Sequence, residues 1–191
     1  MSDSLIPLQQ HMHTLCHQSF HPIPNLAYLT LHLQHIAEIQ SLGLQLYFHH
    51  NIPHHMQSMI QYVPSGKGMA GVAHQYQIPI ISCDLQENPH PHQAIDVQQL
   101  TAYQGVAYPI LRPFYSFNLA NLQKIEALDY MFGARKIEPS IPIGSQSWSD
   151  HLQHHTCIAV LGVAFQEHFP LDDHTWSFLA SHAQMIEQLL P

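Results

Sequence analysis

Positive charge is scarce in this chain: 5 Lys and Arg stand against 13 Asp and Glu, a formal net charge of −8 with histidine neutral. Affinity for nucleic acid rests mainly on cationic contacts to phosphates, so this balance argues against that partner. Cysteine is scarce too. Cys16, Cys83 and Cys157 lie far apart with no C-x-x-C pair, a pattern without metal spacing that reads as reduced, mostly buried thiols in a reducing compartment. No apolar run approaches the roughly 18 residues of a membrane span, and the opening MSDSLIPLQQHMH lacks the basic start and apolar stretch of a signal peptide. A cytoplasmic protein with no membrane partner is the expectation.

What is abundant is apolar and imidazole. Hydrophobic residues make up 46% of the 191 positions, enough for one domain over residues 1–191 with a proper core. There are 19 histidines, spread with glutamine along the whole length. A dedicated metal tract concentrates histidine in one segment, so the even spread reads as a background in which His and Gln occupy surface sites where Lys usually stands. Clusters within that background keep a second reading open. His49, His50, His54 and His55 flank one expected turn, His90 and His92 follow in a loop, and His151, His154 and His155 sit before the last strand. His13 and His17 share a helical face. Neutral imidazole suits zinc, copper, nickel or haem iron, and the sequence names no particular cofactor.

Periodicity sets out the elements. Leu5, Leu8, Met12 and Leu15 repeat at helical spacing over the first eighteen residues. Asn25 is read as the cap of a second helix carrying Leu26, Leu29, Leu33 and Ile36, so residues 1–42 are expected to hold N-terminal helices. Strands are expected from Leu44, from Met56, over Ile78 to Cys83, from Gly105 and from Cys157. A short helix is expected around Ala70 to Gln75, and Asp172 caps a final helix with Trp176, Leu179, Ala183, Ile186 and Leu190 on one stripe. The connection over residues 112–155 is too long for a structureless loop. It is expected to carry an inserted helix, capped by Asn118 and stopped by Gly133. Four of the five basic residues fall in it (Arg112, Lys124, Arg135 and Lys136), on a face read as solvated with Glu126 and Asp129 as local counter-charges or, alternatively, as an anion or docking face.

The most informative stretch is PSGKGMAGVAHQYQIPIISCD, in which Gly66, Gly68 and Gly71 have G-x-G-x-x-G spacing and Asp84 closes the following strand. A dinucleotide fold needs a full crossover helix after such glycines. Gly71 to Pro79 leaves room for about two turns, too short for a crossover. A phosphate-binding P-loop fails because Lys67 is followed by Gly68 rather than Ser or Thr. The order is instead strand, glycine turn, short helix, strand and Asp. With GKGMAGVA, PIISCD, GVAYPIL, VLGVAF and HFPLDDHTWSFLASHAQMIEQLL in sequence, the chain resembles GAF domains from Gly43 to the C-terminus apart from the insertion.

The resemblance implies an α+β fold: an antiparallel sheet of five to six strands flanked by N- and C-terminal helices, with a helical insertion before the last long strand. It implies a pocket for a small-molecule ligand and a homodimer through terminal helices, with the chain acting alone, signalling to a separate partner protein, or being an enzyme. Gly66, Gly68 and Gly71 become a structural loop shaping the pocket wall. By position in the pattern, Cys83, Asp84, His90, His92, Tyr103 and Tyr108 are the candidates for lining it. The chain also resembles the stand-alone GAF reductases of free methionine-(R)-sulfoxide, but departs from them where chemistry is carried. Ala70 stands where their glycine motif has cysteine, and Ile95 and Asp96 fall in the PHQAID stretch that matches their cysteine-bearing roof loop. Sulfoxide reduction needs an attacking thiolate and a resolving thiol. The expectation is a non-catalytic sensing or regulatory domain, with a thiol-dependent redox enzyme using Cys83 and a His-ligated metal or haem protein as alternatives.

Overall fold

Leu26–Ile36 alternates leucine with polar or aromatic residues, and in the computed structural model it is a β-strand (β1). The structure describes residues 5–18, 26–36, 42–82, 102, 104–117, 153–166 and 172–191. Leu29 and Leu31 are buried on one face of β1, while Tyr28, Thr30 and His32 point to the other. This corrects the second N-terminal helix expected from Leu26, Leu29, Leu33 and Ile36. The same leucines satisfy a two-residue period at Leu29, Leu31 and Leu33, and hydrogen bonding to a strand on each side decides for the strand.

The remaining elements follow in chain order. Ile6–Gln18 is α1, with Leu8, Met12 and Leu15 buried at helical spacing. After β1 come β2 (Leu42–His50), a seven-residue helix α2 (His54–Ile60) and β3 (Tyr62–Pro64). The strand expected from Met56 is therefore mostly helix. Met56 and Ile60, four apart, share its buried face, which an extended chain would not give them. Gly68–Tyr76 is α3, Ile80–Ser82 is β4, Gln104–Arg112 is β5, Thr156–Phe165 is β6 and Asp173–Leu189 is α4. Residues 118–152 of the connection between β5 and β6, including the expected helix after Asn118, lie outside the described residues.

The six strands form one antiparallel sheet in the order β3-β2-β1-β6-β5-β4. The fold is α+β, with the terminal helices α1 and α4 packed on one face. That face holds the main core. Trp176, Leu179, Ala183 and Ile186 of α4 meet Tyr108, Ile110, Leu161 and Val163 of β5 and β6, all nearly fully buried. Trp176 Nε1 donates to the Phe117 carbonyl at 2.7 Å, and the Tyr108 ring lies 5.3 Å from Trp176 and 5.5 Å from Phe117.

Both ends of α4 are satisfied. Asp172 accepts from the Thr175 N–H at 2.8 Å, as the sequence predicts for this cap. At the other end, Arg112 donates to the carbonyl oxygens of Glu187, Leu190 and Pro191 and to the Glu187 carboxylate. The expected basic face thus loses Arg112 to a structural task. Lys124, Arg135 and Lys136 lie outside the described residues.

Candidate functional site

The opposite face of the sheet is built differently. Register places Thr30 beside Gly162 and Gly162 beside Ala107, while Tyr28 stands beside Ala164 and Ala164 beside Gly105. Three strands therefore run from full-sized side chains on β1 to hydrogens and methyls on β6 and β5. A Cβ at Gly162 would press on Thr30 Oγ1, which would have to give way. Where side chains are absent, a hollow remains. It has a volume of about 160 Å³, with Met59 and Ile60 of α2 on one side and Lys67 to Ala70, at the start of α3, on another. An engineered apolar cavity of roughly 150 Å³ holds benzene, so the space matches a molecule of that scale.

His32 is the most constrained polar group lining it. The side chain is 3% exposed, and Nε2 lies 3.2 Å from the Ile60 carbonyl oxygen. A carbonyl only accepts, so Nε2 carries the proton and Nδ1 presents a lone pair. Nδ1 is buried without a hydrogen-bond partner, an arrangement that costs about 1–3 kcal/mol. Desolvation pushes the imidazole pKa down to about 4, outweighing the Ile60 bond, which favours the charged form. His32 is thus a neutral acceptor. Tyr28, on the same strand face, is kept a neutral phenol by burial, which pushes its pKa up to about 12.

The α3 wall is set by the glycine loop. Gly66 and Gly68 hold φ of 79° and 58°, the left-handed region that favours glycine. Gly66 N–H donates to the Gly71 carbonyl at 2.7 Å and Lys67 N–H to Pro64 at 3.1 Å, closing the turn. Gly71 is pressed against the Pro64 carbonyl, where a Cβ would not fit. His74, buried in α3, pairs through Nδ1 with Ser65 Oγ at 3.1 Å and ties the helix back to the loop. The residue before the helix, Lys67, offers no side-chain cap. Gly68, Met69 and Ala70, which open α3, line the cavity. Lys67 is the one charged side chain among the described lining residues. A chain of net charge −8 so presents a locally positive wall here.

Among solved structures, the type II free methionine-R-sulfoxide reductase of Thermoplasma acidophilum superposes with a TM-score of 0.58 at 11% identity, covering 99% of this chain and 94% of that one. A structure of the GAF domain superposes at 0.56 with 13% identity, covering 93% and 72%. The fold is GAF-like. A third GAF-like neighbour, the free methionine-R-sulfoxide reductase of Neisseria meningitidis in complex with its substrate, gives 0.55 at 14% identity over 99% and 78%. No family model matches the chain, and no curated protein matches it in sequence. The likeness is one of fold.

In this GAF-like frame the sequence-predicted residues separate. Gly68 lines the cavity, and Gly66 and Gly71 shape the turn beside it. Tyr108, expected in the pocket, is corrected: it sits on the other face of β5, fully buried beside Trp176, because β5 turns Gly105 and Ala107 to the cavity and alternation sends Tyr108 away. Cys83, Asp84, His90, His92 and Tyr103 lie outside the described residues. Reading β1 as a helix hid Tyr28, Thr30 and His32. The signal that would have found them is the alternation of LAYLTLHL itself.

The histidine clusters resolve in part. Among the described residues no group of three or more His, Cys, Asp or Glu is placed to hold a metal. His155 is engaged by the Pro113 carbonyl at 2.7 Å and by the Tyr115 ring. The described thiols are both held protonated by burial, Cys16 near 11 and Cys157 near 12. Neither lines the cavity. No described helix is long and apolar enough to cross a membrane.

Proposed function

We propose that this chain is a non-catalytic, GAF-like sensing or regulatory domain that binds a small molecule in the cavity between β1, β6, β5 and the start of α3. It signals through a separate partner protein or acts alone. The observation that carries this reading is the hollow left by Gly105, Ala107 and Gly162 and lined by His32, Thr30 and Lys67. A few polar groups converging on an otherwise apolar concavity are the usual mark of a ligand site. Solved neighbours named as sulfoxide reductases share the fold, but Ala70 lines the cavity wall where the resemblance puts a reductase cysteine. The high thiol pKa values of Cys16 and Cys157 leave no described nucleophile there. A cytoplasmic homodimer completes the proposal, supported by two unpaired thiols and by Ile6 and Met185, exposed apolar side chains on the terminal helices.

Native mass spectrometry of untagged protein, purified without chelator and compared with its denatured mass, tests this reading. A retained small organic mass on a dimer is the expected result. The mass of a metal or haem would transfer support to the histidine-ligated alternative. Turnover of free methionine-R-sulfoxide with a dithiol, lost in Cys83→Ser, would replace sensing with catalysis.

A further inference from the structure

Away from the cavity, the terminal helices bring two imidazoles together from positions 171 residues apart: His182 Nδ1 of α4 lies 3.2 Å from His11 Nε2 of α1. The core fixes this meeting. Leu8, Met12 and Leu15 of α1 and Leu179, Ala183 and Ile186 of α4 are buried in one cluster. His11 and His182 stand beside those stripes and stay partly exposed. Phe178, one turn earlier on α4, sets its ring edge-on against His182 at 4.3 Å and restricts how that imidazole turns. Two ring nitrogens at 3.2 Å fit an N–H···N hydrogen bond only at the long end of its range. They fit a shared ion better, since two nitrogens bound to one tetrahedral zinc lie about 3.3 Å apart. Burial holds both imidazoles below their ordinary pKa, His182 near 4 with His11 adding to the effect. Both are therefore neutral at pH 7, the form that ligates a metal.

We propose that His11 Nε2 and His182 Nδ1 form a two-histidine site for a zinc-class divalent cation that clamps α1 to α4. The proposal is independent of what the cavity binds. Among the described residues no third His, Cys, Asp or Glu joins the pair, so water completes the coordination, and the partly exposed rings leave room for it. Imidazole selects zinc and its neighbours over magnesium and calcium, which prefer oxygen ligands. A net charge of −8 favours approach of a cation. With half the protein ligands of a closed structural site, the ion exchanges with the buffer, so titration rather than retention through purification is the readout. Because the two nitrogens meet only when α1 is docked on α4, binding stabilises that docking by mass action.

The test is a zinc titration of the untagged full chain at pH 7 against a chromophoric chelator, with magnesium as the control ion and histidine ring nitrogens followed by NMR. One equivalent of zinc is expected to bind ahead of the weaker histidine background, moving His11 Nε2 and His182 Nδ1, while magnesium moves neither. In His11→Gln and in His182→Gln the affinity of that equivalent falls at least about tenfold, since even an outer-shell partner of a metal is worth that much. His54→Gln, in a cluster elsewhere on the chain, leaves it unchanged. Zinc also raises the urea midpoint of the unaltered chain and of His54→Gln but not of either pair variant, a readout that follows the clamp rather than total metal bound. Zinc bound equally well by both pair variants would be adventitious and would overturn the proposal. So would ring nitrogens of the pair that stay unmoved as zinc binds, an N–H···N coupling between them that survives saturation, or no zinc binding at all.

Discussion

The two faces of one sheet have opposite economies. On the α1 and α4 side, β5 and β6 contribute Tyr108, Ile110, Leu161 and Val163, and Tyr108, Phe117 and Trp176 interlock through two hydrogen bonds. On the other side, the same β5 and β6 contribute Gly105, Ala107 and Gly162. One buried imidazole nitrogen there is left without a partner. A face that only had to be stable would be filled as the first one is. The contrast teaches that alternation within a strand can assign packing to one side and binding to the other, residue by residue.

The largest effect should come from the packed face. Trp176→Ala removes the indole wedged against Tyr108 and the bond to Phe117, and is expected to cost about 3–5 kcal/mol in urea unfolding. Loss below about 1 kcal/mol would erase the distinction between faces. Gly162→Val attacks the other side by inserting a side chain against Thr30. Overpacking of this kind costs about 1–3 kcal/mol, and the variant is expected to lose the small organic mass retained by the unaltered protein in native mass spectrometry.

A smaller effect follows from acid. Desolvation holds folded His32 and His182 near pKa 4, the latter helped by the neighbouring His11, whereas unfolded imidazoles protonate from about 6.5. Between those values the unfolded chain binds more protons, so stability falls as pH drops from about 6.5 towards 4. Urea midpoints at pH 7 and 4.5 check this, and His182→Gln should flatten the slope. His182 Nδ1 lies 3.2 Å from His11 Nε2, joining α1 to α4, so this part of the effect belongs to the packed face. The smallest change expected is in Arg112→Met, which frees the last carbonyls of α4 for about 1 kcal/mol. Its midpoint should shift without any change in the retained small mass.

Much of the packed face was legible in the sequence. The stripes of α1 and α4, the Asp172 cap and strands β2, β4, β5 and β6 announce themselves through period and cap chemistry. The cavity face was half legible. The glycine loop and short α3 are signalled by G-x-G-x-x-G spacing, but β1 satisfies both a helical and a strand period, and only its pairing to β2 and β6 settles it. α2 hides for the opposite reason: seven residues carry too little pattern to outvote Met and Ile read as strand formers. His32 was invisible as a site because its meaning lies in one carbonyl, that of Ile60, which a sequence does not place.

The most direct test of the contrast between faces is an amide NMR titration of the full chain with benzene, which matches the hollow in size, with resonances assigned on both sides of the sheet. The account predicts shifts confined to residues around the hollow, at His32, Lys67 to Ala70, Gly105 and Gly162, with Tyr108, Trp176 and Ala183 unmoved. Shifts centred on α1 and α4, with the hollow silent, would contradict it.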